Sequence, residues 1–264
     1  MTLYDSYEYL EITKDGPVLT VSLNNPPMNP IAGARHRELS TIFQDVNRDE
    51  EVKVVVLTAP GDVFSAGGDV KALAKRLEDK AFETWPQTVA EAVDIIYSLV
   101  NCHKPVIARI NGNCFGLGAS LCLLCDICVI ADDASIADPH VKLGLSAGDG
   151  GALIWPQHVG FMRAKEYLLT GDSVPAKIAA EIGLVNHAVP RDQLDAKVDE
   201  IVQKIVRLPG PGVQATKITM NKVLHRNIDG LVEASLGLET FALLGPEHRE
   251  AVFALRDRWA RKKG

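Results

Sequence analysis

Ile110-Asn111-Gly112-Asn113-Cys114-Phe115-Gly116-Leu117-Gly118-Ala119-Ser120-Leu121-Cys122-Leu123-Leu124-Cys125-Asp126-Ile127-Cys128-Val129-Ile130-Ala131 is the stretch around which the rest of the chain is organised. It reads as the end of a buried strand, a turn at Asn111-Gly112, a glycine pair at Gly116 and Gly118, and a short, almost wholly apolar helix running into another strand. Gly116 and Gly118 bracket Leu117 where the helix begins. The Leu117 amide is therefore one of the orphan donors of a helix N-terminus, and the missing side chains leave a ligand room to approach it. An amide so placed can hold negative charge on a carbonyl oxygen, and loss of one such donor typically costs on the order of 100 to 1000-fold in rate.

The chain around this stretch has 264 residues, enough for one large domain, or one domain with an appendage, and for a substantial core. Its 28 Lys and Arg against 34 Asp and Glu give a formal charge of −6, so there is no overall basic field for nucleic acid. The N-terminal Met-Thr-Leu-Tyr-Asp-Ser-Tyr-Glu-Tyr has neither a cationic nor an apolar leader region, and the apolar run from Leu121 to Ala131 is too short to span a bilayer. A soluble cytoplasmic protein is expected. The five cysteines, Cys102, Cys114, Cys122, Cys125 and Cys128, lack a second ligand pair at zinc-like spacing, and they read as buried small hydrophobes rather than as a metal or redox centre.

In chain order, strands are expected at 9–13 and 18–23 with a hairpin signal at Asp15-Gly16, followed by a proline-rich loop from Asn24 to Pro30. Leu39, Ile42, Phe43 and Val46 mark an amphipathic helix, and the β-branched run 52–58 suits a strand covered on both faces. The loop 59–70 then carries Phe64-Ser65-Ala66-Gly67-Gly68-Asp69, and helices are expected over 70–83 and around Val89 to Val100 before a strand at 105–110. Beyond the opening stretch, 135–140 reads as a short strand ending in a loop, and 144–151 as a glycine-rich turn. A helix from Ala152 is stopped at Gly171, and a further short one ends at Gly183. After Pro190 only helical patterns follow: Leu194 to Ile205, then Leu231 to Phe241 after the Pro209-Gly210-Pro211-Gly212 break. A last helix carries Val252, Leu255 and Trp259 with Arg256, Arg258, Arg261, Lys262 and Lys263.

Five pieces in this order resemble the crotonase (enoyl-CoA hydratase/isomerase) superfamily over nearly the whole chain. They are Leu23-Asn24-Asn25-Pro26-Pro27-Met28-Asn29-Pro30; Phe64-Ser65-Ala66-Gly67-Gly68-Asp69; Asn111-Gly112 with Gly116-Leu117-Gly118; Cys125-Asp126-Ile127; and Arg163-Ala164-Lys165 through Thr170-Gly171 to Ile182-Gly183-Leu184-Val185. The resemblance implies an α/β fold, a spiral of β-β-α turns over residues 1–190, and a helical C-terminal region, 191–264, used for assembly as a homotrimer or homohexamer. It implies an acyl-CoA thioester substrate, with coenzyme A entering as part of the substrate and no tightly bound cofactor. By position it assigns the oxyanion hole to the amides of Ala66 and Leu117. Ser65, Gly67, Gly68, Asp69, Gly116, Gly118 and Ser120 would then contact substrate. Pro27, Met28, Leu255 and Arg258 would contact coenzyme A, the last two across a subunit boundary.

The hydratase pattern breaks at the acid–base groups. Members that add water place glutamates three residues after the second oxyanion amide and at the end of the next strand; here those positions hold Ser120 and His140. Serine is no base near neutral pH, whereas imidazole accepts or donates a proton. Asp149 is the next ionisable candidate, as base, nucleophile or partner of His140. Against these roles stand plainer ones: Asp149 as a helix N-cap, His140 as a loop histidine bonded to backbone, Asp69 as the cap of the helix that follows. His36, His103, His158, His187, His225 and His248 show no metal-like pairing, and Tyr97, Trp85 and Trp155 read as packing residues. Three readings remain: an enoyl-CoA hydratase/isomerase-like enzyme; the same fold catalysing hydrolysis, decarboxylation or dehalogenation; and a non-catalytic acyl-CoA-binding protein. The acyl group depends on loops such as 76–86.

Overall fold

The computed structural model describes residues 3–261; Lys262 and Lys263 of the basic C-terminal run lie outside the described residues. The architecture is two sheets wound by repeated strand–strand–helix turns. β1 (Glu11–Asp15) and β2 (Val18–Ser22) form the antiparallel hairpin, with Gly16 at φ 53 turning the chain. Then follow α1 (Ala34–Arg48), β3 (Val54–Thr58), β4 (Val63–Ser65), α2 (Val70–Asp79), α3 (Trp85–Val100), β5 (Val106–Ile110), β6 (Asn113–Phe115), α4 (Leu117–Leu124), β7 (Ile127–Ala131) and β8 (Ser135–Ala137). From β3 to β8 each turn lays one strand in a six-stranded sheet ordered β1-β2-β3-β5-β7-β10 and the next in a four-stranded sheet ordered β4-β6-β8-β9. β9 is Val174–Pro175 and β10 is His187–Val189.

The central strands of the larger sheet are parallel, pairing Val55 with Val106 and Ile107 with Ile127. Their side chains are buried on both faces, as continuous apolar runs such as Val54-Val55-Val56-Leu57 require. α4 has all eight of its residues buried, which explains the absence of any polar face in its sequence. All five cysteines are free and buried there or nearby, Cys114 Sγ donating to Cys122 Sγ at 3.6 Å with no disulfide, and burial pushes the Cys122 and Cys125 thiols well up. The expectation of inert, hydrophobe-like thiols holds.

Several boundaries differ from the sequence reading. β4, β6, β9 and β10 are two or three residues long, too short to show a period, and the loop 59–70 and the turn at Asn111-Gly112 hid the first two. α2 stops at Asp79, not Glu83, because Lys80 adopts a left-handed conformation at φ 53. α5 (Gly151–Thr170) is two helices joined at Gly160, whose φ of 76 and ψ of 161 are not helical. α6 is Ala176–Glu181 and α7 is Leu194–Val206. The Pro209-Gly210-Pro211-Gly212 segment is no break but the first turn of α8 (Gly210–Ile228), where proline's missing amide costs nothing. α9 (Leu231–Leu243) and α10 (Pro246–Arg261) complete the chain. α10 packs on α2 and on the turn 140–143, and α9 packs on α3 and α5, so the helical tail closes one side of the site.

Candidate active site

β4, β6 and β8 are parallel neighbours, and their C-terminal ends lie side by side. That single fact assembles the site. β4 runs out into Ala66-Gly67-Gly68-Asp69 before α2, β6 into Gly116 before α4, and β8 into Asp138-Pro139-His140. A cavity of about 370 Å³ opens over these ends, within the range of small-molecule sites. Ala66, Gly67, Gly68, Asp69, Gly116, Leu117, His140 and Asp149 line it.

The loop after β4 is held by the proline-rich segment. Asn29, wholly buried, binds the Asn25 amide through Oδ1 and donates to the carbonyls of Pro60 and Val63, while Ser65 Oγ donates to its carbonyl. The Ala66 amide donates to Met28 O at 2.9 Å and the Ile31 amide to Gly67 O at 2.8 Å. This corrects the expected oxyanion pair, because the Ala66 N–H is already spent on the loop. The Gly67 amide donates to Ser65 Oγ at 3.1 Å. Among the described residues the Gly68 amide has no hydrogen-bond partner, and a Cβ built on Gly68 would meet open space. The Leu117 amide, first in α4, likewise has none.

Other expectations shift with the packing. Gly118 does not face the cavity: a Cβ there would lie 2.6 Å from Ser65 Cβ, so its role is to let α4 seat on β4. Ser65 and Ser120 are fully buried behind the wall. Pro27 and Met28 are exposed and outside the cavity, in the segment that holds the loop; Leu255 and Arg258 lie on α10, also outside it. Asp69 Oδ1 accepts from the amides of Lys71 and Ala72, the helix cap anticipated for it, and it also borders the cavity.

His140 sits between two carboxylates. Its Nδ1 is 2.5 Å from Asp138 Oδ1 and its Nε2 is 3.4 Å from Asp149 Oδ2. A Cβ on Gly116 would come within 3.4 Å of His140 Cε1, so the imidazole rests directly against the residue that precedes the Leu117 amide. Burial by itself would lower the imidazole's pKa, but the charges of Asp149 and Asp138 and their hydrogen bonds outweigh it and raise the pKa well above 6.5. The imidazolium in turn holds Asp149 below its ordinary value against the opposing effect of burial, helped by Ser120 Oγ, which donates to Asp149 Oδ1 at 3.3 Å. Asp149 is not the N-cap of α5; that position is Gly150, at φ 123, and no side chain caps the helix. Asp138, Asp149 and His140 would offer a metal ion three ligand atoms within 4.8 Å of one another, yet both ring nitrogens already address carboxylates.

Three site residues escaped the sequence reading. Asp138 stood in plain view two residues before His140, but only the folded turn at the end of β8 places its carboxylate under Nδ1. Its Oδ2 sits where a Cβ on Gly151 would come within 1.9 Å, which is why that position is glycine. Glu239, on α9, is buried, lines the cavity, and packs where a Cβ on Gly148 would lie 2.5 Å from its Oε2, an atom with no hydrogen-bond partner among the described residues. Burial first, then the negative charge of Asp149, push its pKa up to about 8. His36 is not a surface histidine: it lines the cavity, buried, with Nδ1 2.9 Å from Glu91 Oε2. Of the others, His158 Nε2 and His248 Nδ1 bond the backbone carbonyls of Leu123 and Leu143. Trp85, read as packing, borders the cavity.

The enoyl-CoA hydratase/isomerase family model matches residues 13–240. The chain belongs to that family. Carnitinyl-CoA dehydratase from Citrobacter koseri is 34% identical over 211 residues, 80% of this chain and 79% of that protein. Among solved structures, an enoyl-CoA hydratase/isomerase from Mycobacterium paratuberculosis superposes with a TM-score of 0.89 at 34% identity, covering 95% of this chain and 100% of that one. A β-diketone hydrolase from the cyanobacterium Anabaena sp., bound to (S)-3-oxocyclohexyl acetic acid, has a TM-score of 0.82 at 26% identity, covering 91% of this chain and 96% of that one. The crotonase fold is thereby shown, and the family's chemistry is enzymatic and directed at acyl-CoA. No described helix is long and apolar enough to cross a membrane.

Proposed function

We propose that this crotonase-family enzyme interconverts an α,β-unsaturated acyl-CoA and its hydroxyacyl-CoA by water addition and elimination, with a histidine and a buried glutamic acid in place of the usual two glutamates. The observation that carries it is the imidazole of His140, set between two carboxylates and against Gly116, the residue before the unpartnered Leu117 amide. The thioester oxygen is held by the Gly68 and Leu117 N–H groups, which stabilise the enolate that forms as water adds. His140 Nε2 takes the proton of the attacking water while Asp138 holds Nδ1–H, and Glu239, kept protonated by burial, delivers a proton to the α carbon. In elimination the same two groups exchange roles. The similarity to carnitinyl-CoA dehydratases supports this direction of chemistry. Incubating the enzyme with a series of enoyl-CoA thioesters in isotopically labelled water, with mass spectrometry of the products, tests it; no labelled hydroxyacyl-CoA from any of them would overturn it.

A second reading, hydrolysis of the carbon–carbon bond of a 1,3-diketone, is favoured by the contact of His140 with Gly116, which sets an activated water beside the carbonyl carbon itself. Water would add there, the oxyanion would collapse to a carboxylic acid, and the departing enolate carbon would take its proton from Glu239. The likeness to a β-diketone hydrolase supports this reading. Cyclic 1,3-diketones run beside the thioesters separate the two.

A further inference from the structure

One cation in the cavity wall is unused by this chemistry. Arg76, on α2, lines the cavity half-buried, and its guanidinium lies over the ring of Trp85, 5.3 Å from the ring centroid. Trp85 is itself fixed, its Nε1–H donating to Thr240 Oγ1 of α9 at 3.0 Å. Among the described residues the Arg76 side chain has no hydrogen bond and no ion pair, although most arginines nearby do: Arg37 pairs with Glu91, Arg256 with Glu78, and Arg249 donates to Leu77 O. A guanidinium held by stacking keeps its fork of N–H donors free and pre-oriented for a planar anion.

We propose that Arg76 on its Trp85 platform is an anion-binding subsite that selects substrates carrying a carboxylate at the far end of the acyl group. This rests on the carbonyl lying at the Gly68 and Leu117 amides. α2 runs from Asp69, beside the amide of Gly68, and Arg76 follows seven residues later, roughly 10 Å along the axis. A short acyl chain spans that distance. The nearest phosphate of coenzyme A lies at the end of the pantetheine arm, about 15 Å away when extended. The carboxylate therefore fits the spacing better. Of the other basic side chains lining the cavity, His36 and Arg37 pair with Glu91 and His140 lies between Asp138 and Asp149, which leaves Arg76 to meet it.

Equilibrium binding of glutaryl-CoA, butyryl-CoA, free coenzyme A and the free keto acid levulinate to the wild type, Arg76→Gln and Arg76→Lys tests this without turnover. Expected is a loss on the order of 10 to 100-fold for glutaryl-CoA in Arg76→Gln, partial recovery in Arg76→Lys, and less than about three-fold change for butyryl-CoA and coenzyme A. An equal loss for coenzyme A alone overturns the carboxylate assignment and places a phosphate there. Unchanged glutaryl-CoA affinity overturns the subsite. If no thioester binds the wild type while levulinate binds in an Arg76-dependent way, the subsite stands and the acyl-CoA reading falls; if neither binds, both fall. Thermal melts and circular dichroism of each variant confirm that Trp85 and α2 remain in place.

Discussion

Asp138 Oδ1 accepts a 2.5 Å hydrogen bond from His140 Nδ1 and also, at 3.3 Å, the bond from the His140 backbone amide, so one wholly buried carboxylate fixes both ring and main chain. When the imidazolium gives up a proton, the bond to Asp138 favours the tautomer that keeps Nδ1–H and puts the lone pair on Nε2, on the side of the cavity and Asp149. Replacing Asp138 by Asn removes the charge and lets the ring take either tautomer. Asp138→Asn is expected to lower kcat on the order of 100 to 10,000-fold with little change in KM, the size of a positioned general base. Steady-state kinetics on the substrate identified by product analysis will check it, and an unchanged kcat in a folded variant would sink the role.

The pH profile follows from two shifted groups. As a base, His140 must lose its proton, and its raised pKa sets the acid limb of the hydration rate above 6.5. Glu239, as the acid, must keep its proton, and the rate falls as pH passes about 8. The profile is bell-shaped and lies on the alkaline side. In Asp149→Asn both limbs move to lower pH, since its negative charge raises both neighbours. In Glu239→Gln the limb near 8 disappears from the residual activity. Rate profiles of the three proteins decide this; identical limbs in wild type and Asp149→Asn would contradict the coupling.

On the proposed mechanism, polarisation of the substrate carbonyl belongs to Gly68 and Leu117. Gly68→Pro deletes one N–H at a site where a Cβ meets open space, and a loss of about 100 to 1000-fold in kcat is expected. The infrared stretch of an isotopically labelled thioester carbonyl should shift down on binding to the wild type and lose much of that shift in the variant. Equal shifts in both would assign the hole to other donors.

Gly67 and Gly118 are packing positions. Gly67 has φ 82 and a Cβ there would lie 2.8 Å from Phe115 O, while a Cβ on Gly118 meets the Ser65 side chain at 2.6 Å. Gly118→Ala is expected to cost about 1–3 kcal/mol of stability through overpacking, and Gly67→Ala a comparable amount through strain. Denaturant unfolding measures both. Wild-type midpoints would show that these glycines serve only ligand access.

An assembly through the helical tail is expected from the apolar side chains it leaves in solvent. Leu238, Phe241 and Leu244 stand 66%, 79% and 67% exposed on or just after α9, with Met220 and Val223 exposed on α8. Light scattering should give a trimer or a multiple of it, and Leu238→Glu with Phe241→Glu should shift it toward monomer. A wild-type monomer at micromolar concentration would rule the assembly out.

Local chemistry alone was enough for much of this. The apolar Leu117–Leu124 segment between glycine-flanked turns reads as a buried helix with a free N-terminal amide because helix ends leave amides unpaired wherever they occur. The β-branched runs read as doubly covered strands because burial on both faces leaves no room for alternation. His140 and Asp149 could be named as candidate proton carriers because the family resemblance marks their positions and serine at 120 cannot act as a base. Tertiary structure decided what spacing cannot express. Whether Ala66 or Gly68 offers its amide depends on where the proline-rich loop lands, and Met28 O takes the former. Asp138 reaches His140 Nδ1 while Gly151 of another turn leaves room for its second oxygen. Glu239 arrives from α9 with no neighbour in sequence to announce it. Its unusual proton affinity is created by desolvation and by a carboxylate 90 positions away in the chain, and desolvation is a property of packing rather than of any residue's name.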